Sequence, residues 1–135
     1  MTPKKHLILL AFTFLAWLGF YLLGIPSNYF TDWNLAELIL LCLITMFGFL
    51  PVVRAFVLIF MDGNYVKTSL WFAFYASVPL FFYDLIVVGI IGGEGFHFLV
   101  SHWPVTFGYL CVWIILPLVG LALQKFSSQQ AISQP

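Results

Sequence analysis

An aspartate sits inside a long apolar stretch of this 135-residue chain. Residues Leu70 to Ile91 read LWFAFYASVPLFFYDLIVVGII, and Asp84 is the single charge among them. An ionised carboxylate at the depth of a bilayer's hydrocarbon costs on the order of 3 kcal/mol or more, so it asks for a proton, a cation or hydrogen-bond donors. Ala73, Ser77, Leu80, Asp84 and Val88 follow one another at i, i+4, i+7, i+11 and i+15, which is one face of a helix. Ala73 and Ser77 form a small-residue pair of the kind against which another helix packs closely. That face therefore turns Asp84 toward other helices and away from lipid. Asp84, with Ser77 on its face, is the leading candidate for binding a proton, a cation or a small ligand. The plainer expectation is one hydrogen bond between helices.

A second group of ionisable residues lies in Gly92 to Pro104, GGEGFHFLVSHWP. If residues 94 to 101 form an interfacial helical turn, Glu94, His97 and Ser101 align at i, i+3 and i+7. Glu-x-x-His can set an oxygen and a nitrogen on one metal, and His102 can approach as a third ligand. The pattern is weakly specific, and no metal is assigned from it. Proton exchange with Asp84, or an interfacial membrane enzyme built on Glu94, His97 and His102, are the other chemistries open to this cluster.

Three further positions have a bland and a sharp reading. Glu37 follows Asn34 at the spacing of a capping box, and it is also a carboxylate that can face a cavity and assist Asp84. Arg54 snorkels to the headgroups or binds a lipid phosphate at the opposite interface. Cys42 and Cys111 lie in apolar runs with no CxxC or Cys/His spacing, so both read as small hydrophobic side chains. Their depths in the presumed spans match, which makes a disulfide geometrically open and unsupported by any motif.

The elements that must position these groups are apolar helices. The chain is 63% hydrophobic, 20% aromatic and 7% charged, whereas a soluble domain carries about a quarter charged residues. The net charge of zero leaves no basic patch for phosphates, so nucleic acid is excluded as a partner. Apolar runs over approximately residues 6–25, 35–61, 70–91 and 105–123 are each long enough to cross a bilayer at about 1.5 Å per residue. Pro51, Pro79 and Pro117 fall inside the second, third and fourth runs, where a proline bends a helix. Gly24 and Pro26 end the first run, Asp62-Gly63 turns the chain between the second and third, and Thr68 or Ser69 caps the third. The first run follows Lys4 and Lys5 as a signal peptide would. It is too long for one and has no small-residue cleavage site, so it reads as a retained helix. Residues 126–135, FSSQQAISQP, lack apolar periodicity and read as a disordered polar tail.

These features predict an all-α membrane protein: a four-helix antiparallel transmembrane bundle, residues 1–125, with both termini cytoplasmic. In that topology Lys4, Lys5, Arg54, Lys67 and Lys125 all fall on the cytoplasmic side, while Glu37, Glu94, His97 and His102 fall outside. The multi-pass chain is expected in the cell membrane. Its loops are too short for a catalytic domain, and the leading functional expectation is a non-catalytic subunit or accessory component docking on a membrane partner. The alternatives are a homo-oligomeric transporter or small-ligand or proton-binding bundle using Asp84, and the outer-face enzyme. Neither cofactor nor catalytic residue can be named at this level.

Overall fold

The computed structural model describes residues 2–60 and 64–132. Among them the regular structure is all helical, and four helical stretches are long and apolar enough to cross a membrane: Pro3–Ser27, Leu35–Phe60, Tyr65–Ile91 and Trp103–Ser128. The expected Asp62-Gly63 turn, and Met61 at the expected end of the second run, lie outside the described residues.

Helix α1 spans Pro3–Gly24. Proline in the first turn costs no hydrogen bond, because the N–H it lacks would have no helical partner there. Leu9, Thr13 and Trp17 bury one stripe of α1 at i, i+4 and i+8. The Thr13 hydroxyl donates to the Leu9 carbonyl at 2.9 Å, so no polar atom is stranded on that stripe. A short 3-10 turn, Ile25–Ser27, carries the chain out of the helix at Pro26.

Helix α2 spans Leu35–Phe60 and starts on the expected reciprocal cap. The Glu37 N–H donates to Asn34 Oδ1 at 3.1 Å, and the Asn34 N–H donates to Glu37 Oε2 at 2.9 Å. Pro51 lies within α2, and the helix continues through it. Leu38 is buried at one end and Val53, Val57 and Phe60 at the other, but no described residue between Leu38 and Val53 is buried. Over that length α2 stands away from its neighbours.

The third span begins five residues before the expected Leu70. Asn64, not Thr68 or Ser69, is the cap of α3 (Tyr65–Tyr75): its side chain accepts from the Lys67 N–H at 2.9 Å. The Thr68 hydroxyl instead donates back to the Asn64 carbonyl. The helix breaks at Ala76 and Ser77 because the Pro79 ring would collide with the Tyr75 carbonyl four residues earlier. Chain direction is held across the break by the Ser77 hydroxyl, which donates to the Ala73 carbonyl at 2.7 Å. Helix α4, Val78–Asp84, follows, and Leu85–Ile91 then widen into a π-helical turn. Gly89 admits the next loop there, since a Cβ on it would lie 2.8 Å from the Gly95 carbonyl oxygen.

After the short α5, Phe98–Ser101, the last helix α6 runs Trp103–Ile132 with Pro117 inside it. The tail expected from Phe126 is thus helical as far as Ile132. The apolar core gathers Leu9, Val53, Val57, Phe60, Phe72, Ala73 and Leu116, with Phe12 and Phe56 packed against it. Helices α3 and α6 pack tightly at Gly120, where a Cβ would lie 2.5 Å from Ser69 Oγ.

Candidate functional site

The face predicted to turn Asp84 inward does so. Ala73, Ser77, Asp84 and Val88 are all buried, and Asp84 is 1% exposed. Three donors from three other segments meet its carboxylate. From the middle of α1, the Trp17 indole N–H donates to Asp84 Oδ1 at 2.7 Å. Tyr29, in the connection after α1, donates its hydroxyl to the same oxygen. Tyr109 of α6 donates to Oδ2. Where one interhelical bond was the plain expectation, the aspartate is a node joining four parts of the chain. An indole can only donate, so at least this bond needs Asp84 as acceptor. Among the described residues no lysine or arginine forms an ion pair with Asp84.

Tyr29 reaches this node through an unusual backbone. Asn28, Tyr29 and Phe30 are three consecutive non-glycine residues with φ of 48°, 57° and 70°. The left-handed region costs such residues roughly 1 kcal/mol or more each and is kept only where the surroundings enforce it. The enforcement is visible. The Tyr29 N–H donates to the Gly24 carbonyl at 2.8 Å, the Phe30 N–H donates to Ser27 Oγ at 3.2 Å, and Phe30 is buried. Gly24 is required beneath this turn, where a Cβ would come within 2.9 Å of the Tyr29 ring. Burial first, and the Asp84 carboxylate second, push the Tyr29 phenol well above its ordinary titration range.

The carboxylate heads a cavity of about 250 Å³. Its walls are apolar and aromatic, with Phe12, Phe20 and Phe30 among them, and among the described residues Asp84 is its only charged lining residue. The cavity exists because α2 stands off: Leu41, Cys42, Thr45 and Leu50 of α2 face it from one side. Cys111 lines it as well, and both cysteines are free thiols.

The loop cluster assembles in part. The Ser101 hydroxyl donates to Glu94 Oε2 and lies 2.9 Å from His102 Nδ1, while that nitrogen is 3.5 Å from Glu94 Oε2. The His102 ring packs against the Tyr29 ring with centroids 5.5 Å apart. His102 is buried and His97 is exposed, so only the His97 carbonyl joins the group, accepting from Ser101. Among the described residues no three His, Cys, Asp or Glu side chains converge as metal ligands. Glu37 is exposed and occupied in its helix cap, away from the cavity lining. Ser77 is spent on the Ala73 carbonyl, and Arg54 is exposed on α2.

Sequence reasoning missed the partners of Asp84. Trp17, Tyr29 and Tyr109 belong to no motif or spacing that ties them to an acid. The available signal was chemical: a buried acid needs donors, and in a chain this apolar they come mainly from indoles and phenols. Comparison with known protein families, with curated proteins and with solved structures finds no match.

Proposed function

We propose that this protein is a ligand-binding transmembrane bundle that takes up a small lipophilic cation, an apolar body carrying an ammonium-type head, in the cavity beside Asp84. The carrying observation is the pairing of apolar walls with one carboxylate that has three hydrogen-bond donors and, among the described residues, no lysine or arginine partner. Donors satisfy the oxygen lone pairs but do not cancel the carboxylate's charge, which a proton offsets until a cation displaces it. A cationic head offsets that charge, and the aromatic rings of Trp17, Phe20 and Tyr29 in the cavity lining supply cation–π attraction where it meets a ring face. At about 250 Å³ the cavity lies just below the roughly 300 Å³ at which ligand pockets begin, so it suits a small ligand. The four spans are read as antiparallel in the cell membrane with both termini cytoplasmic. Support comes from the positions of all five cations on the chain and from contacts such as Lys5 Nζ to the Phe60 carbonyl and the Tyr65 N–H to Gln124 Oε1. The accessory-subunit expectation draws on the aromatic, apolar outer faces, which lipid satisfies equally, and on the short loops, which a ligand-binding bundle shares.

Cys42 and Cys111 make the test direct, because both line the cavity. Phenyltrimethylammonium should protect them from alkylation by N-ethylmaleimide in the folded protein, and Asp84→Asn should remove that protection. Equal alkylation with and without the cation contradicts the proposal.

A further inference from the structure

The groups between Asp84 and the 92–97 loop form a sequence in which every member can both accept and donate a proton. Glu94 is the outermost, with its side chain 35% exposed, and His102 is 3% exposed. The Ser101 hydroxyl joins them, and the Tyr29 phenol stands between His102 and Asp84 with its own proton already aimed at the carboxylate. Two backbone features concentrate here: the left-handed run at residues 28–30 that presents Tyr29, and the π-helical turn that starts just after Asp84. Strained turns and π segments are over-represented at functional sites. A simple helix tie would need neither an imidazole nor a partly exposed acid behind it.

We propose that Glu94, Ser101, His102 and Tyr29 form a proton-exchange path connecting Asp84 with the aqueous edge of the molecule, and that cation binding in the cavity is exchanged against a proton delivered along it. The exchange rests on the ligand-binding reading above; the path does not. A proton from water binds Glu94. It passes to the Ser101 oxygen as Ser101 gives its own proton to His102 Nδ1. The imidazolium then releases its other ring proton to the Tyr29 oxygen as Tyr29 hands its hydroxyl proton to Asp84. One proton has moved from water to Asp84, and Ser101, His102 and Tyr29 are each neutral again. The Tyr29–His102 step is a ring contact at 5.5 Å, which a turn of the imidazole or one bridging water completes. Imidazole is the side chain best suited to take and return a proton near neutrality. The titratable groups facing His102 are Glu94 from the loop, Tyr29 from the connection after α1, and Asp84 from α4. Tyr21 and Tyr109 stand one shell further out, beside Tyr29 and on Asp84 respectively.

The path is tested by infrared spectroscopy of the full chain in lipid after a rapid pH step, following the Asp84 carboxyl band, which Asp84→Asn identifies by its loss. Ser101→Ala, Glu94→Gln and His102→Gln should each slow the response at least about tenfold without changing its final extent. If His102→Gln fails to fold, the other two variants decide. Identical rates in wild type and variants overturn the path, as does a band that ignores bulk pH in the folded wild type. Adding phenyltrimethylammonium then tests the exchange, with release of about one proton per bound cation expected. Binding without proton release overturns the exchange. Absence of binding over a responsive Asp84 band overturns the exchange and the ligand-binding reading, and leaves the path standing.

Discussion

At the end of the bundle that carries Lys5, the buried contacts between helices are mainly carbon on carbon. Phe56 stacks on Phe60 and Phe72 at centroid distances of 5.3 and 5.6 Å and touches Phe12 at 4.3 Å. Gly120 lets α6 close onto Ser69 of α3. At the end that carries His102, the helices are joined instead through one carboxylate and its three donors, around a cavity that α2 leaves open. Lipid tails are as apolar as the side chains, so burial from water cannot drive spans together inside a bilayer. Close packing can, and so can a polar node. The first gives a tight, adaptable contact. The second fixes geometry while leaving space, which is what a binding site needs.

This contrast can be broken by variants at each end, measured by denaturant unfolding in mild detergent. The largest losses should come from Phe72→Ala at the packed end, about 4 kcal/mol from the cavity it leaves, and from Asp84→Leu, about 3 kcal/mol from three stranded donors. A negligible loss for Asp84→Leu would mean that the node does not hold the helices. Next, Gly120→Ala should cost about 2 kcal/mol, because its methyl group meets Ser69 Oγ and the Tyr65 carbonyl. Gly108→Ala, with nothing within 4 Å of the added Cβ, should stay within about 0.5 kcal/mol of wild type. Equal effects would show that the two halves of α6 are packed alike.

Tyr29→Phe should fall between the two glycine variants, at about 1 kcal/mol for one bond inside a membrane protein. It carries a pH signature. The Tyr29 phenol titrates above its ordinary range in the folded state, so its contribution is fully present below about pH 10 and declines as pH rises and the unfolded phenol ionises. Tyr29→Phe should flatten that decline. An unchanged alkaline slope would remove Tyr29 from the node.

Much of the frame is legible in the residues. Spans follow from apolar length, the Asn34–Glu37 cap from a three-residue spacing, and the inward aim of Asp84 from the small residues on its face. What the sequence hides is of two kinds. Local competition decides the break at residues 76–77 and the early start at Asn64: Pro79 and a side-chain cap outweigh continuous apolarity. The extension of α6 to Ile132 likewise shows that a polar segment without apolar period can continue a helix already nucleated. Long-range pairing decides the rest. The donors to Asp84 come from 67, 55 and 25 residues away, and no periodicity encodes that meeting. His97 and His102 look equivalent on paper, and only the fold separates the exposed ring from the buried one.

One titration bears most directly on the assignment of Asp84 as the charged head of a cavity. Phenyltrimethylammonium and its neutral isostere tert-butylbenzene differ by a single charge and can be compared by calorimetry in nanodiscs, with empty discs subtracted. The expected result is that Asp84→Asn weakens binding of the cation at least about tenfold, some 1.4 kcal/mol, while the isostere binds both proteins alike. If both probes bind wild type and variant equally, the carboxylate is a fastener between helices and not a site.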